Sequence, residues 1–309
     1  MKRLLSHSAL LAALVVVLPD SDAHAQEGAF VYVVKSGETL ASIAQRFYGD
    51  ALYEKVLVTE NGLTGHGGVS IIAGMKLVVP YSSYYRVKSG DSWSKLAEQF
   101  YGSADRAHVI PQANNLSKDA VPEDNAQLLV PYAVRHVADQ RDDLSNICEA
   151  YHGSLENLAA LRRFNRLSRN KLKRTQVILI PMPKLVLSEQ GRRIIEAHSG
   201  MKLADGSIRA LQAQSDQRLA QLREQVRRGR YLEAVAHGYE LLGLGALTAN
   251  QSVVVHSELA TAFVALERDD LALKAFVAAL ALRPDLELDT AKTSPKVLAL
   301  LRKAQKTRR

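Results

Sequence analysis

Three times along this chain the same order of residues comes round, and that recurrence limits the fold more than any other feature. The first copy opens Tyr32-Val33-Val34-Lys35-Ser36-Gly37-Glu38-Thr39-Leu40. It runs through Ile43-Ala44 and Phe47-Tyr48-Gly49, reaches Asn61, and closes Gly74-Met75-Lys76-Leu77-Val78-Val79-Pro80. The second opens Tyr85-Arg86-Val87-Lys88-Ser89-Gly90-Asp91-Ser92-Trp93 and closes Gln127-Leu128-Leu129-Val130-Pro131. A third, more divergent copy opens Val134-Arg135-His136-Val137 and closes Gln176-Val177-Ile178-Leu179-Ile180-Pro181. The closing prolines stand 51 and 50 residues apart. A fixed period of that size marks a small module repeated in tandem.

Within a copy the hydrophobic period changes twice. Tyr32-Val33-Val34 reads as a short strand, and Ser36-Gly37 as the turn that leaves it. Leu40, Ile43, Ala44 and Phe47 recur at helical spacing. Thr39, and Ser92 in the second copy, supply a hydroxyl at the helix start, and Gly49 and Gly102 stop the helix. A second short helix carrying Leu52, Val56 and Val58 ends near Asn61-Gly62, and Lys76 to Val79 forms the closing strand. The predicted order is strand, helix, helix, strand. Two strands alone are marginal, so both helices must pack on one face of the hairpin.

The first two copies resemble the LysM domain. They share its aromatic strand, its Gly-acid-hydroxyl corner, its aromatic-Gly pair, its asparagine and its closing proline. The resemblance implies a βααβ fold that binds chitin or peptidoglycan through N-acetylglucosamine, in a shallow groove between two loops. In the first copy the implied lips are Ser36, Gly37, Glu38, Thr39 and Leu40, facing Ile71, Ile72, Ala73 and Gly74. In the second they are Ser89, Gly90, Asp91, Ser92 and Trp93, facing Pro122, Glu123, Asp124 and Asn125. Backbone groups beside a glycine can meet an N-acetyl amide. Leu40 and Trp93 either offer an apolar face to the sugar or fill the core beneath it. The third copy has Gln140-Arg141-Asp142-Asp143 at the corner. Loss of the glycine there removes close backbone approach, so weak glycan binding is expected. Its basic half would then touch an acidic partner, or the module would join its neighbours into one rigid unit.

Before the repeats, Lys2 and Arg3 precede an apolar run from Ala9 to Leu18, and Ala23-His24-Ala25 offers small residues for cleavage. This pattern predicts a secretory leader, residues 1–25, and hence a periplasmic, wall-associated protein. No later stretch is apolar enough to cross a bilayer, so no stable membrane insertion is expected after cleavage. The single cysteine, Cys148, excludes an internal disulfide and falls on a helical stripe, where it reads as core. The net charge of +8 allows an anionic polymer, lipid or nucleic acid as partner. That charge is concentrated in Arg162, Arg163, Arg166, Arg169, Lys171, Lys173 and Arg174, and again in the last eight residues. The first cluster is either ordinary solvated surface or a contact for an acidic partner.

Pro181-Met182-Pro183 marks a boundary. Beyond it a linker over 183–213, with one short helix from Glu189 to His198, is expected to lie against the third copy. A helical domain follows over 214–307. There Leu259, Ala260, Phe263, Ala272, Phe276, Ala279 and Pro284 resemble the packing residues of tetratricopeptide repeats, which implies stacked helix pairs and a capping helix after Pro295. The fold class is therefore α+β: tandem βααβ modules over 31–81, 84–132 and 134–182, then an all-α tetratricopeptide-like domain. The stretch Gln26 to Met182 is expected to fold independently.

The sequence suggests no enzyme. Cys148 and His152 lack an orienting third group, and the histidines lack metal-ligand spacing, so no catalytic residue, metal or cofactor is expected. Gly65, Gly67 and Gly68 lack the following lysine and hydroxyl of a phosphate cradle. Aromatic residues do not interleave with the basic ones, which argues against nucleic acid. The expected function is non-enzymatic peptidoglycan binding, with a protein partner on the helical domain. The alternative is a scaffold or assembly factor of an envelope complex, whose modules act as spacers or bind protein.

Overall fold

A computed structural model of the chain describes residues 28–63 and 71–307. The predicted leader, the glycines at 65, 67 and 68, and the last two arginines lie outside the described residues. The first module comprises β1 (Ala29–Val33), α1 (Leu40–Tyr48), α2 (Glu54–Glu60) and β2 (Lys76–Pro80). The second comprises β3 (Ser83–Arg86), α3 (Trp93–Tyr101), α4 (Val109–Ala113) and β4 (Gln127–Val130). In the third are β5 (Tyr132–Val137), α5 (Leu144–His152), α6 (Leu158–Phe164) and β6 (Val177–Met182). Each module closes its two strands into an antiparallel pair, with Tyr32 opposite Leu77, Tyr85 opposite Leu128, and His136 opposite Ile178. The architecture is α+β, as the alternating periods predicted.

Local chemistry explains these boundaries. Thr39 accepts from the Ser42 N–H while Ser42 returns the bond to Thr39, a reciprocal cap that starts α1. Ser92 and Asp143 cap α3 and α5 in the same way from one side. The second helix is where the reading of the sequence slips. Leu52 sits in a single turn of 3-10 helix and is 77% exposed, and the buried positions are Val56 and Leu57. A turn of three residues per repeat shifts the hydrophobic stripe by one position relative to a continuous α-helix.

An asparagine closes every module. The side chain of Asn61 donates to the carbonyls of Leu57 and Val78, each at 2.8 Å, and accepts from the Val78 N–H at 2.7 Å. Asn114 does the same for Ile110 and Leu129, and Asn165 for Leu161 and Leu179. These side chains supply the partners that a two-stranded sheet cannot, because each strand has no further neighbour. A second signature joins the end of the first helix to the closing proline. Tyr48 and Tyr101 donate to the carbonyls of Pro80 and Pro131, and His152 takes that place toward Pro181 at 2.9 Å.

The modules are packed together rather than strung out. The first and third share one hydrophobic core, which runs from Tyr32, Ile43 and Phe47 to Val134, Leu144 and Ile180. Glu60 of α2 accepts from the Tyr132 hydroxyl and the Arg135 N–H. Phe164 of the third module is buried among Trp93, Leu96 and Tyr101 of the second.

The remaining helices are α7 (Glu189–Ser199), α8 (Ser207–Arg227), α9 (Tyr231–Gly243), α10 (Ala249–Ala265), α11 (Asp269–Leu282) and α12 (Pro295–Thr307). The last five share a separate core that includes Leu222, Ala260, Phe276 and Leu301. Helix α8 begins at Ser207, ahead of the helical domain expected from 214. Its first turns face the second module with polar residues, so hydrophobic spacing could not reveal them. Helix α7 lies on the first module instead of the third. The Ser188 hydroxyl donates to the Arg46 carbonyl at 2.6 Å, and the Ser188 N–H to Phe47 at 2.8 Å. A Cβ at Gly191 would stand 2.6 Å from the Phe47 carbonyl oxygen, so only glycine allows this approach.

Candidate functional site

The first lip of each module is built on a half-buried acid. Glu38 accepts from the Tyr32 hydroxyl at 2.8 Å, from the Lys35 N–H at 2.7 Å, and from Arg46. Burial pushes its carboxyl up, but the Lys35 N–H, Arg46 and Tyr32 outweigh that and hold it below its ordinary value. Asp91 repeats the bonds with Tyr85 and Lys88. In the third module Asp142 accepts from His136 and from the Asp139 N–H, both at 2.8 Å. The degenerate corner therefore keeps its acid, and Asp143 keeps its helix cap. What changes is Arg141, which stands at the position of Gly37 and Gly90. The spacing of Tyr32 to Glu38, Tyr85 to Asp91 and His136 to Asp142 is the signal that could have shown this in the sequence.

The opposite lip turns on one left-handed residue. Gly74 has φ +87° and its N–H donates to the Val34 carbonyl at 2.8 Å, while Val34 donates back to Met75. Asn125 at φ +68° makes the same pair with Val87, and Thr175 at φ +65° with Ala138. The closing glycine is thus replaced at 125 by an asparagine, which tolerates this conformation, and at 175 by a threonine, which does so at a cost. This register aligns Ile72-Ala73 with Glu123-Asp124 and with Lys173-Arg174.

In the first module the two lips are open to solvent. Ser36, Gly37, Thr39, Ala73 and Gly74 are exposed, and Ile72 is 70% exposed. Ile71 is half-buried. Two residues leave the groove: Leu40 is in the core, and Glu38 is spent on Tyr32, Lys35 and Arg46. Of the two readings open for Leu40, the core is the one observed, and the exposed apolar side chain at this groove is Ile72.

The second module differs on the opposite lip. Ser89 and Gly90 are exposed, and Ser92 is spent on the α3 cap. Trp93 is 7% exposed, and its Nε1 donates to the Ala120 carbonyl at 2.5 Å. Its ring belongs to the core and is not a sugar platform, because it is the first residue of α3 and points inward with Leu96 and Ala97. Pro122 is buried. The next three residues hold the helical domain. The Ala249 N–H donates to the Asp124 carbonyl at 3.0 Å, and the Asn250 N–H to the Glu123 carboxylate at 2.9 Å. The Asn125 amide donates to Leu247 at 2.6 Å.

Behind that lip lies a glutamine network. Gln212 donates to the carbonyls of Asn125 and Ala246 and accepts from the Gln127 N–H at 3.0 Å. Gln127 accepts in turn from the Arg209 N–H, and Gln251 donates to Gln212 and Asp216. Gln127, Gln212 and Gln251 are all buried. A cleft of about 700 Å³ runs along this junction. Little in the loop's residues announces this contact, since a charged loop with no glycine reads equally well as solvent-facing.

Residues 32–80 and 85–131 each match the family model of the LysM domain. Each of the first two modules is thus similar to the LysM domain. LysM is a binding domain. Over 122 residues the chain is 31% identical to Esterase MT1326 of Mycobacterium tuberculosis strain CDC 1551 / Oshkosh and to Esterase Rv1288 of strain ATCC 25618 / H37Rv. That alignment takes in 40% of this chain, which spans about a quarter of the length of these curated relatives, 26% of each. Two solved structures, the ectodomain of a receptor like kinase and the LYK3 ectodomain, are 16% and 15% identical at a TM-score of 0.18. The similarity covers 52% and 53% of this chain and 94% of each ectodomain.

Outside the LysM lips, Cys148 is buried, with its sulfur 3.7 Å from His152 Nδ1 and 3.3 Å from the Ser154 carbonyl. Burial pushes the thiol up and the imidazole down, the opposite of an activated thiolate pair. Among the described residues, no group of three or more metal-ligating side chains converges, and no helix is long and apolar enough to cross a membrane.

Proposed function

We propose that the protein binds N-acetylglucosamine-containing wall glycan, peptidoglycan, without catalysis, and that the first LysM domain carries the site. One observation carries this reading: between Gly37 and Gly74 both lips are exposed, and Ile72 stands 70% exposed beside them. Exposed backbone at the two glycines, next to an accessible aliphatic side chain, matches an N-acetyl group, which has one amide and one methyl. The corner acids are saturated with donors, so they are poor candidates for proton transfer. The esterase names belong to relatives of which this chain spans about a quarter. The leader pattern supports a periplasmic location, with the helices α8–α12 held at the wall to meet a protein partner.

Pull-down of the full chain with insoluble peptidoglycan tests the reading. Binding that persists at about 0.5 M salt is expected, since sugar recognition by amides and apolar contact is not screened. Gly37→Val is expected to abolish that salt-resistant fraction. A full chain left in the supernatant at every salt concentration would sink the proposal.

A second reading has one observation in its favour: the second LysM lip already holds protein, through Glu123, Asp124 and Asn125. On this reading the modules are scaffold pieces and the protein an assembly factor of an envelope complex. Crosslinking in cells separates the two, because a pure scaffold keeps its protein partners when Gly37→Val removes glycan binding.

A further inference from the structure

The three modules present the same two lips with three chemistries. At the aligned positions the first has Gly37 facing Ile72-Ala73, the second Gly90 facing Glu123-Asp124, and the third Arg141 facing Lys173-Arg174. The alignment of the third module is geometric. Thr175 donates to Ala138 at 2.8 Å and Ala138 to Gln176 at 2.9 Å, reproducing the bonds around Gly74.

We propose that the lips of the third module bind a carboxylate-bearing polymer, whose source is the acidic peptide stems of the wall glycan gripped by the first. The polymer's identity rests on the glycan reading given above; the anionic site itself does not. Arg141 is 93% exposed on its side chain, and its nearest acid, Asp139, is 3.9 Å away. Lys173 and Arg174 are exposed, as are Arg169 and Lys171 beside them, and no ion pair among the described residues engages these four.

The neighbouring acids are already committed: Asp142 to His136 and a backbone N–H, Asp143 to the cap of α5. The far lip therefore carries positive charge that no ion pair among the described residues engages, and on the near lip the Arg141 guanidinium, paired only loosely with Asp139, stays open to solvent; neither lip has a glycine to admit a sugar backbone. Guanidinium forks pair with carboxylates through two parallel hydrogen bonds, which gives Arg141 and Arg174 a geometric preference as well as a Coulombic one. The shared core of the first and third modules ties both sites to one body, so a polymer held at one is presented to the other at high effective concentration.

The test uses the full chain and three probes: poly-L-glutamate, a neutral tetramer of N-acetylglucosamine, and vesicles of phosphatidylglycerol. Polyglutamate should bind at 0.05 M salt and weaken by about tenfold or more at 0.5 M, where the screening length falls to a few ångströms. The triple variant Arg141→Gln, Lys173→Gln, Arg174→Gln changes only exposed positions and should keep the wild-type melting temperature. It should lose polyglutamate affinity by about tenfold or more while binding the tetramer unchanged. Equal polyglutamate binding by variant and wild type overturns the site. Tighter binding to the vesicles than to polyglutamate overturns the assignment to carboxylate. If the tetramer fails to bind while polyglutamate binding remains dependent on these lips, the glycan reading falls and the anionic site stands.

Discussion

The first two LysM domains have one skeleton and two different fates. Both lock the corner with a tyrosine and an acid, both staple helix to strand with an asparagine, and both turn the far lip on a left-handed residue. They part at the opposite lip. Ile72-Ala73 is left to solvent, whereas Glu123-Asp124-Asn125 is taken up by the helical domain. The groups that specify this fold are thus distinct from the groups that choose its partner. On the proposed glycan reading, the second module has exchanged sugar for protein at this one loop.

The most damaging way to probe the shared half of that comparison is to remove a staple. Asn61→Ala and Asn114→Ala each leave the N–H and the carbonyl of one strand residue without their side-chain partner, and each should cost about 2–3 kcal/mol in urea unfolding. A cost at one site and none at the other would mean that the skeleton is not shared. Gln212→Ala attacks the difference instead. It removes two bonds to the second module and one to Ala246, and should cost about 1–2 kcal/mol. Amide hydrogen exchange at Ala249 and Asn250 should quicken while the first module stays protected.

Smaller still is the pair Gly37→Val and Gly90→Val. Each puts a branched residue at φ near +80°, with nothing within 4 Å of the added Cβ, so about 1 kcal/mol of backbone strain is expected from both. Glycan binding should fall only for Gly37→Val; an equal loss from Gly90→Val would show that the second groove is open after all.

The strand-helix-helix-strand order was legible because hydrophobic period, cap and stop residues agreed within each copy. The groove was legible as a pair of loops, and its occupancy was not. Burial of Trp93 depends on its place in the first turn of α3, and a unique tryptophan beside a glycine corner reads the same whether it faces inward or outward. Closure of the second lip depends on Gln212 and Leu247, roughly a hundred residues or more away, and no local pattern reports such contacts. At the third corner the loss of the glycine was legible, but the bond kept across the six-residue interval from His136 to Asp142 was not.

The smallest predicted effect tests whether that substitution pattern reaches a proton. His152 occupies the place of Tyr48 and Tyr101, and burial holds its imidazole below the ordinary histidine value of 6.5. The unfolded chain therefore binds the proton more tightly, so stability is full above about pH 6.5 and is lost as pH falls below it. Burial acts in the same direction on His108, His237 and His256. His152→Tyr should leave stability at pH 7 within about 0.5 kcal/mol. It should make the acid limb of a pH–melting curve shallower, and an unchanged limb would show that His152 does not contribute to it.

Ser188 and Gly191 close on Phe47 after a loop of some 140 residues, and this contact sets an order of events. As the chain emerges from its amino end, the backbone of Arg46 and Phe47 stays uncovered until α7 has been made. The first module is thus completed after the second and third have been threaded. Long-range closures of this kind slow folding and prolong the exposure of unfinished surface. A fragment ending at Met182 contains all three modules yet lacks the segment that finishes the first, and it should mature less completely than the intact chain. The nascent protein remains vulnerable to proteolysis at its oldest part until nearly two thirds of it exists.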